Sequence, residues 1–309
     1  MPEDREVTDG LLLRPLLPLP LTMISASTRV LAVIGHPVAH SFSPLMHNAA
    51  IRSLGVDYCY VALHVHPDRV AQAVNGMRGL EIAGMNVTIP HKRAVMEHVD
   101  RISEEALAVG AVNTIAWKND ELVGYNTDVY GITRALEETA GLSSFSEHGI
   151  VLGAGGAARA AVYALGVRPE VARVTILNRT VERAQSLADD MRKITGKEIT
   201  AKGIDIDSQR KSFADAGVVV NTTSLGMHPA IDASPVPDPS VIHPSLVVYD
   251  TVFNPLETQL MRQALGREAK AFGGLDMLVF QGARSFAIWT GTEPPADVMK
   301  QAVVEHFGG

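Results

Sequence analysis

The sequence predicts an α/β protein built from two units, and three observations carry that expectation. Short apolar runs alternate with segments of helical spacing, first over residues 29–109 and again from about residue 129; that alternation is the mark of parallel sheets with crossover helices. One of those runs passes through glycines into an alanine-rich helix, "IVLGAGGAARA" at 150–160. The length of 309 residues also fits two domains at ~100–200 residues each.

Taken in order, "RVLAVIG" (29–35) reads as a buried strand because it is continuously apolar. A helix is expected from Pro44 to about Leu54, a strand in "DYCYVALHV", a helix in "PDRVAQAVNGMRGL" and a strand in "IAGMNVTIP". "ISEEALAVG" reads as a short helix. "AVNTIAWKNDELVGYNTD" reads as two strands around a turn at Asn119 and Asp120. The second unit opens with a helix, "VYGITRALEETAG", followed by the strand "GIVLGAG" and the helix "GAARAAVYALG". "RVTILN" is a strand and "VERAQSLADDMRKITG" a helix; "DAGVVVNTT" and "SLVVYDTV" are further buried strands. Two helices close the chain, "LDMLVFQGARSFAIWTG" and "ADVMKQAVVEHFG". No repeat of solenoid period is present.

Composition excludes several classes. Hydrophobic residues make up 46% and charged residues 20%, enough apolar material for a sizeable core. The net charge of −7 argues against nucleic acid or an anionic membrane as partner, while leaving room for a small acidic substrate at a locally positive site. The single cysteine, Cys59, allows no internal disulfide and fits a reducing, cytoplasmic setting. The start is acidic ("MPEDREVTDG"), and the apolar run after it is broken by Arg14, Pro15, Pro18 and Pro20. It therefore matches neither a signal peptide nor a spanning helix of about 20 apolar residues. Residues 1–23 read as a poorly ordered extension, with Met23 as an alternative start.

The glycine loop points to a dinucleotide. Gly153-x-Gly155-x-x-Ala158 follows an apolar strand and opens a helix, the context in which backbone N–H groups approach a pyrophosphate. Dinucleotide sites for NAD place an acid at the end of the next strand, about 20 residues on. Here that strand ends in Asn178-Arg179-Thr180, and Arg183 follows one turn later. Two guanidinium groups suit a 2′-phosphate, so NADP is the expected cofactor. Asn221 to Ser224, Thr222 among them, leave the carboxyl end of a strand and could line the nicotinamide ribose or form a polar turn.

The substrate signal lies earlier. Ser41 and Ser43 flank Phe42 just before a helix, a modest anion site, although helix capping accounts for Ser43 equally well. His36, His40 and His47 invite a metal reading, but no carboxylate or thiolate joins them, and no metal is expected. "NVTIPHK" (86–92) puts Asn86 and Thr88 on one face of a strand that ends at Lys92. Asn113 and Asp128 come from other strand ends, and Asp128 could cap the helix that follows it. Lys92 and Asp128 form the best acid–base pair in the chain: a nicotinamide moves a hydride, and the accompanying proton needs a carrier.

These motifs, in order "HSFSPLMHN", "NVTIPHK", "GAVNT", "YNTD", "GAGGAARA", "NRTVERA", "NTTSLGM" and "LDMLVFQGA", resemble the shikimate dehydrogenase family from about Thr28 to the C-terminus. The resemblance implies NADPH-dependent, reversible reduction of 3-dehydroshikimate to shikimate on the chorismate route to aromatic amino acids. It implies two domains: a substrate-binding α/β domain of residues 24–127 completed by C-terminal helices in 274–309, and a Rossmann-type NADP domain of 128–273. Ser41 and Ser43 would hold the substrate carboxylate. Thr88, Asn113 and Gln281 would bind ring hydroxyls, Asn86 would line the pocket, and Lys92 and Asp128 would be the catalytic pair. Gly153, Ala154, Gly155, Gly156, Ala157 and Ala158 would hold the pyrophosphate, and Asn178, Arg179, Thr180 and Arg183 the adenosine end. Gly274 and Met277 would lie near the nicotinamide. Met277 and Gln281 share a helix face, and a Gln among apolar neighbours needs a hydrogen-bond partner, which a hydroxylated ring would supply.

Two departures stand out. Phe253 occupies a position where the family often has Tyr, so one hydroxyl contact would be missing, and the N-terminal extension has no counterpart. Two alternatives remain at this stage: a quinate or dual quinate/shikimate dehydrogenase, and a catalytically idle relative that binds NADP or a ring acid. A folate- or tRNA-linked dehydrogenase of similar build lacks support from "HSFSPLMHN". The expected assembly is a monomer or homodimer.

Overall fold

The computed structural model describes residues 24–141 and 146–308, so the expectation for residues 1–23 lies outside the described part. The described residues form two six-stranded sheets. The first contains β1 (Arg29–Gly35), β2 (Tyr58–His64), β3 (Gly84–Val87), β4 (Arg101–Ile102), β5 (Thr114–Lys118) and β6 (Glu121–Tyr125), with α1 (Ser43–Leu54), α2 (Val70–Gly79) and α3 (Glu104–Val109) between them. Its strand order is β2-β1-β3-β5-β6-β4. β1 runs parallel to β2 and β3, whereas β5 is antiparallel to both β3 and β6. The sheet is therefore mixed. The two-residue turn at Asn119 and Asp120, with φ of 51° and 64°, is the left-handed kind that sends a strand straight back beside its predecessor.

The second unit begins with α4 (Asp128–Arg134), which continues into a π-helical turn over Ala135–Thr139. It continues with β7 (His148–Leu152), α5 (Gly156–Gly166), β8 (Arg173–Asn178), α6 (Val181–Thr195), β9 (Glu198–Gly203), α7 (Ile206–Phe213), β10 (Val218–Asn221), β11 (Val247–Asp250), α8 (Gln259–Leu265) and β12 (Lys270–Phe272). All its strands are parallel, in the order β12-β11-β10-β7-β8-β9. This is the doubly wound order, in which the winding reverses between β7 and β10 and ligands bind beyond the strand ends. The chain ends in α9 (Leu275–Thr290) and α10 (Ala296–Gly308). β4, β9, α7, α8 and β12 add to the elements expected from the sequence.

Period-2 alternation assigns each strand residue to a layer. Leu31 and Val33 of β1 face α1, α9 and α10, packing with Met46, Ile51, Phe286, Trp289 and Val303. Ala32 and Ile34 face the other way, onto Val74 and Met77 of α2. In the second sheet Val151 and Ile176 meet α5 and α6, while Ile150, Leu152 and Leu177 meet Phe213 and Leu260. The last two helices thus cover the first sheet although they follow the second in sequence. Among the described residues no helix is long and apolar enough to cross a membrane.

Candidate active site

Strand register brings the chemistry to two facing edges. In the first sheet Ile34 pairs with Val87, and Thr114 pairs with both Asn86 and Tyr125. Thr88, Asn113 and the Asn126–Asp128 segment therefore leave the sheet along one edge. In the second sheet Leu152 lies level with both Leu177 and Asn221, so Gly153, Asn178 and Thr222 begin their loops side by side. Between the two edges lies a cavity of about 480 Å³, within the range of small-molecule sites. Ser41, Ser43, Asn86, Thr88, Lys92, Asn113, Asp128, Ala157, Gly274, Met277 and Gln281 all contribute to its lining.

Lys92 Nζ donates to Asp128 Oδ2 at 2.6 Å, with the lysine side chain 18% and the carboxylate side chain 7% exposed. Lys92 follows a turn closed by His91 N–H donating to Thr88 O, and its own carbonyl accepts from Val112 N–H at 2.8 Å. Asp128 opens α4 but does not cap it. Asn126 Oδ1 accepts from the N–H groups of Asp128 and Val129, at 3.0 and 3.2 Å, leaving the carboxylate free to turn towards the cavity. Its second oxygen accepts from Asn113 Nδ2 at 2.9 Å. α4 lies close against α9 because residue 131 is glycine: a Cβ there would sit 2.8 Å from Gln281 Cβ and from the Met277 carbonyl.

Beneath the pair runs a buried polar network. Asn86 is 6% exposed and fully engaged. Its amide donates to Asn113 O, Thr114 Oγ1 and Ser285 Oγ, and its oxygen accepts from the Tyr60 hydroxyl at 2.6 Å. Burial holds the Tyr60 phenol far above its ordinary range, so it stays a donor. Asn86 therefore borders the cavity mainly as scaffold. Gln281 finds protein partners: its Nε2 donates to Leu278 O at 2.8 Å and its Oε1 accepts from Asn113 Nδ2 at 3.4 Å. The Thr88 hydroxyl makes no hydrogen bond among the described residues and lines the cavity, available to a ligand. α1 begins at Ser43, with Phe42 in the cap position, so Ser43 is not the cap residue. Ser41 Oγ accepts from Ser43 N–H at 3.3 Å.

Of the three histidines in the first motif, His36 and His40 border the cavity whereas His47 lies in the core. His47 is wholly buried against Tyr60 (ring centroids 4.3 Å apart), and His36 Nδ1 pairs with His64 Nε2 at 2.7 Å. Desolvation, then His64, His66 and His91, keep the His36 imidazole below its usual range. Among the described residues no group of three or more His, Cys, Asp or Glu side chains could hold a metal ion.

The cofactor edge fits a dinucleotide. Gly153 has φ +112°, and a Cβ there would stand 2.6 Å from Thr222 Oγ1, so only glycine serves. Gly155 precedes α5 with no side-chain cap, leaving the first-turn N–H groups for an anion. Ala158 is fully buried and packs α5 onto the sheet. Thr222 Oγ1 donates to Leu152 O at 2.6 Å, bracing the glycine turn. Asn221 is fully buried and donates to Asp250, so the loop's first residue is structural rather than ribose-lining. Asn178 Nδ2 donates to Thr180 O. Arg179 and Arg183 are exposed and make no hydrogen bond or ion pair among the described residues, so their guanidinium groups are open to an anion.

Residues 33–115 match the model of the shikimate dehydrogenase substrate-binding domain, 137–237 that of shikimate/quinate 5-dehydrogenase, and 274–304 that of the shikimate 5′-dehydrogenase C-terminal domain. An NADP(+)-dependent shikimate dehydrogenase of Methanothermobacter thermautotrophicus is 44% identical over 91% of this chain and 98% of its own. The chain belongs to the shikimate dehydrogenase family. A crystal structure of a family member in complex with NADP+ superposes with a TM-score of 0.85 at 41% identity, covering 92% of this chain and 97% of that one. The Listeria monocytogenes shikimate 5-dehydrogenase, solved with shikimate and NAD, gives 0.84 at 33% identity over 91% and 98% of the two chains.

Asn126, Thr127 and Ser285 complete the polar network under the cavity, although no motif singles them out. Asn126 and Thr127 sit inside "YNTD", and Ser285 lies one turn beyond Gln281 on α9. Their pattern of short polar residues among buried neighbours was the available signal.

Proposed function

We propose that this protein catalyses the reversible NADPH-dependent reduction of 3-dehydroshikimate to shikimate. One observation carries the reading: the Lys92–Asp128 contact of 2.6 Å stands in the same cavity as Ala157 of the dinucleotide turn. Residues 24–127 with 274–309 serve as the substrate domain and 128–273 as the NADP domain. The family membership, Arg179 and Arg183 without ion-pair partners among the described residues, and the absence of an acid at the end of β8 support NADP as cofactor.

NADPH, which the Gly153–Ala158 turn and Arg179 would hold, would supply the hydride that reduces the ketone carbon. Lys92 Nζ delivers a proton to the ketone oxygen as the C–H bond forms, and takes it back in the reverse direction. Asp128 orients that ammonium through Oδ2, while Asn113 fixes the other carboxylate oxygen. Ser41 and Ser43 receive the substrate carboxylate, and Thr88, Asn113 and Gln281 meet ring hydroxyls. Lone Cys59 supports a cytoplasmic setting and the acidic net charge argues against a nucleic-acid partner; the proposed assembly is a monomer or homodimer.

The test is NADPH oxidation with 3-dehydroshikimate, and shikimate and quinate oxidation with NADP+ and NAD+ in turn. The expected result is that the shikimate–NADP+ couple is fastest. A faster quinate–NAD+ couple, or no turnover of any pair, would overturn the reading.

A further inference from the structure

We infer that Phe42 is a positioning residue that holds Ser41 and Ser43 in the substrate cleft, and that it does so because Phe307 of α10 and Phe253 of the opposite lobe grip its ring. The inference deepens the substrate reading above and rests on it.

Phe42 occupies the N-cap position of α1 without making a side-chain cap bond, at a site that usually favours Ser, Thr, Asp or Asn. Helix initiation therefore does not explain the aromatic ring. Its contacts do. The Phe307 ring stacks on it with centroids 5.0 Å apart, and His306 stands against it at 5.3 Å and 82°. Phe253, in the loop after β11, meets it edge-on at 5.5 Å and 87°. These are attractive aromatic geometries. The backbone is tied as well: Met46 N–H donates to Phe42 O at 3.1 Å, Ser41 N–H donates to Val38 O at 3.0 Å, and Ser43 N–H donates to Ser41 Oγ. Residues 41–43 are thus linked into one short unit with the ring as its handle. Ser41, Phe42, Ser43 and Phe253 line the cavity, whereas Phe307 does not. Phe307 lies outside the cavity and touches the Ser41–Ser43 unit through the Phe42 ring.

That separation makes the test. In the full-length enzyme, Phe307→Ala should raise KM for shikimate about tenfold, equivalent to about 1.4 kcal/mol. KM for NADP+ should stay within about twofold and kcat within about threefold, the pattern of lost ground-state positioning. Phe307→Tyr should restore KM, and Phe307→Leu, which retains much of the apolar volume, should fall between. Phe42→Ala should repeat the effect, and the double variant should be no worse than Phe42→Ala alone, because both remove one coupled contact. If Phe307→Ala and Phe307→Leu both leave the shikimate KM unchanged in an active enzyme, or raise both substrates' KM equally, the inference falls while the functional reading stands. A wild-type enzyme inactive on shikimate removes both.

Discussion

Lys92 and Asp128 are 36 residues apart in sequence, yet their charged groups meet at 2.6 Å because one follows the third strand of the first sheet and the other opens the helix after its sixth. Neither group has an alternative ion-pair partner among the described residues. Replacing Lys92 by Ala should lower kcat by about 10²–10⁴ with a modest change in KM, read from steady-state NADPH oxidation. An unchanged kcat would remove Lys92 from the chemistry.

Asn126 should act on the pair from behind. It is 3% exposed, its oxygen caps α4 at two N–H groups, and its amide donates to Ala111 O at 2.9 Å. Asn126→Ala leaves those buried groups unpaired, at a cost of about 1–3 kcal/mol in urea unfolding. It also frees α4 to recruit Asp128 as its cap. Turnover should therefore fall along with stability, and Asn126→Asp should retain the capping part.

Arg179 governs the choice of cofactor in this reading. Arg179→Ala should raise KM for NADP+ about 10- to 100-fold, the worth of a charge-assisted contact to phosphate, and leave KM for NAD+ nearly unchanged. Parallel assays with both cofactors check it; equal effects on the two would dissociate this arginine from the 2′-phosphate.

His47 should make stability pH-dependent. Burial lowers its pKa to about 3, and neither ring nitrogen has a hydrogen-bond partner among the described residues. The unfolded chain takes up a proton near pH 6.5 while the folded one does not. Stability is therefore fully present above about 6.5 and declines by about 1.4 kcal/mol per pH unit as pH falls towards 3. Urea midpoints at pH 7.5 and pH 5 should diverge in the wild type. They should converge by about that margin in His47→Phe, which keeps the stack on Tyr60 and cannot titrate.

Most of the architecture was legible because its signals are local. Continuous apolar runs mark the buried strands, and the Asn119-Asp120 pair marks the hairpin. The elements that escaped notice carry weak versions of the same signals. β9 is polar on much of its length, β12 has three residues, and α7 shows few apolar side chains behind its Asp205 cap. At the site, side chains with intrinsic chemistry stood out, whereas those acting through partners did not. Asn86 reads as a pocket residue until Ser285, 199 positions away, is seen accepting its hydrogen bond. Gln281 reads as relying on a ligand alone until Leu278 and Asn113 are found to share its amide. No spacing rule reports a partner brought in by tertiary packing.

The tight crossing at Gly131 ties the helix that bears Asp128 to the helix that covers the first sheet. With no room for even a methyl group between α4 and α9, the helix bearing Asp128 is keyed into the block that carries Lys92. Ile132, Ala135 and Leu136 of the same helical segment pack into the core of the second sheet, so this segment joins the two units. The ammonium and carboxylate therefore meet at the seam between the sheets.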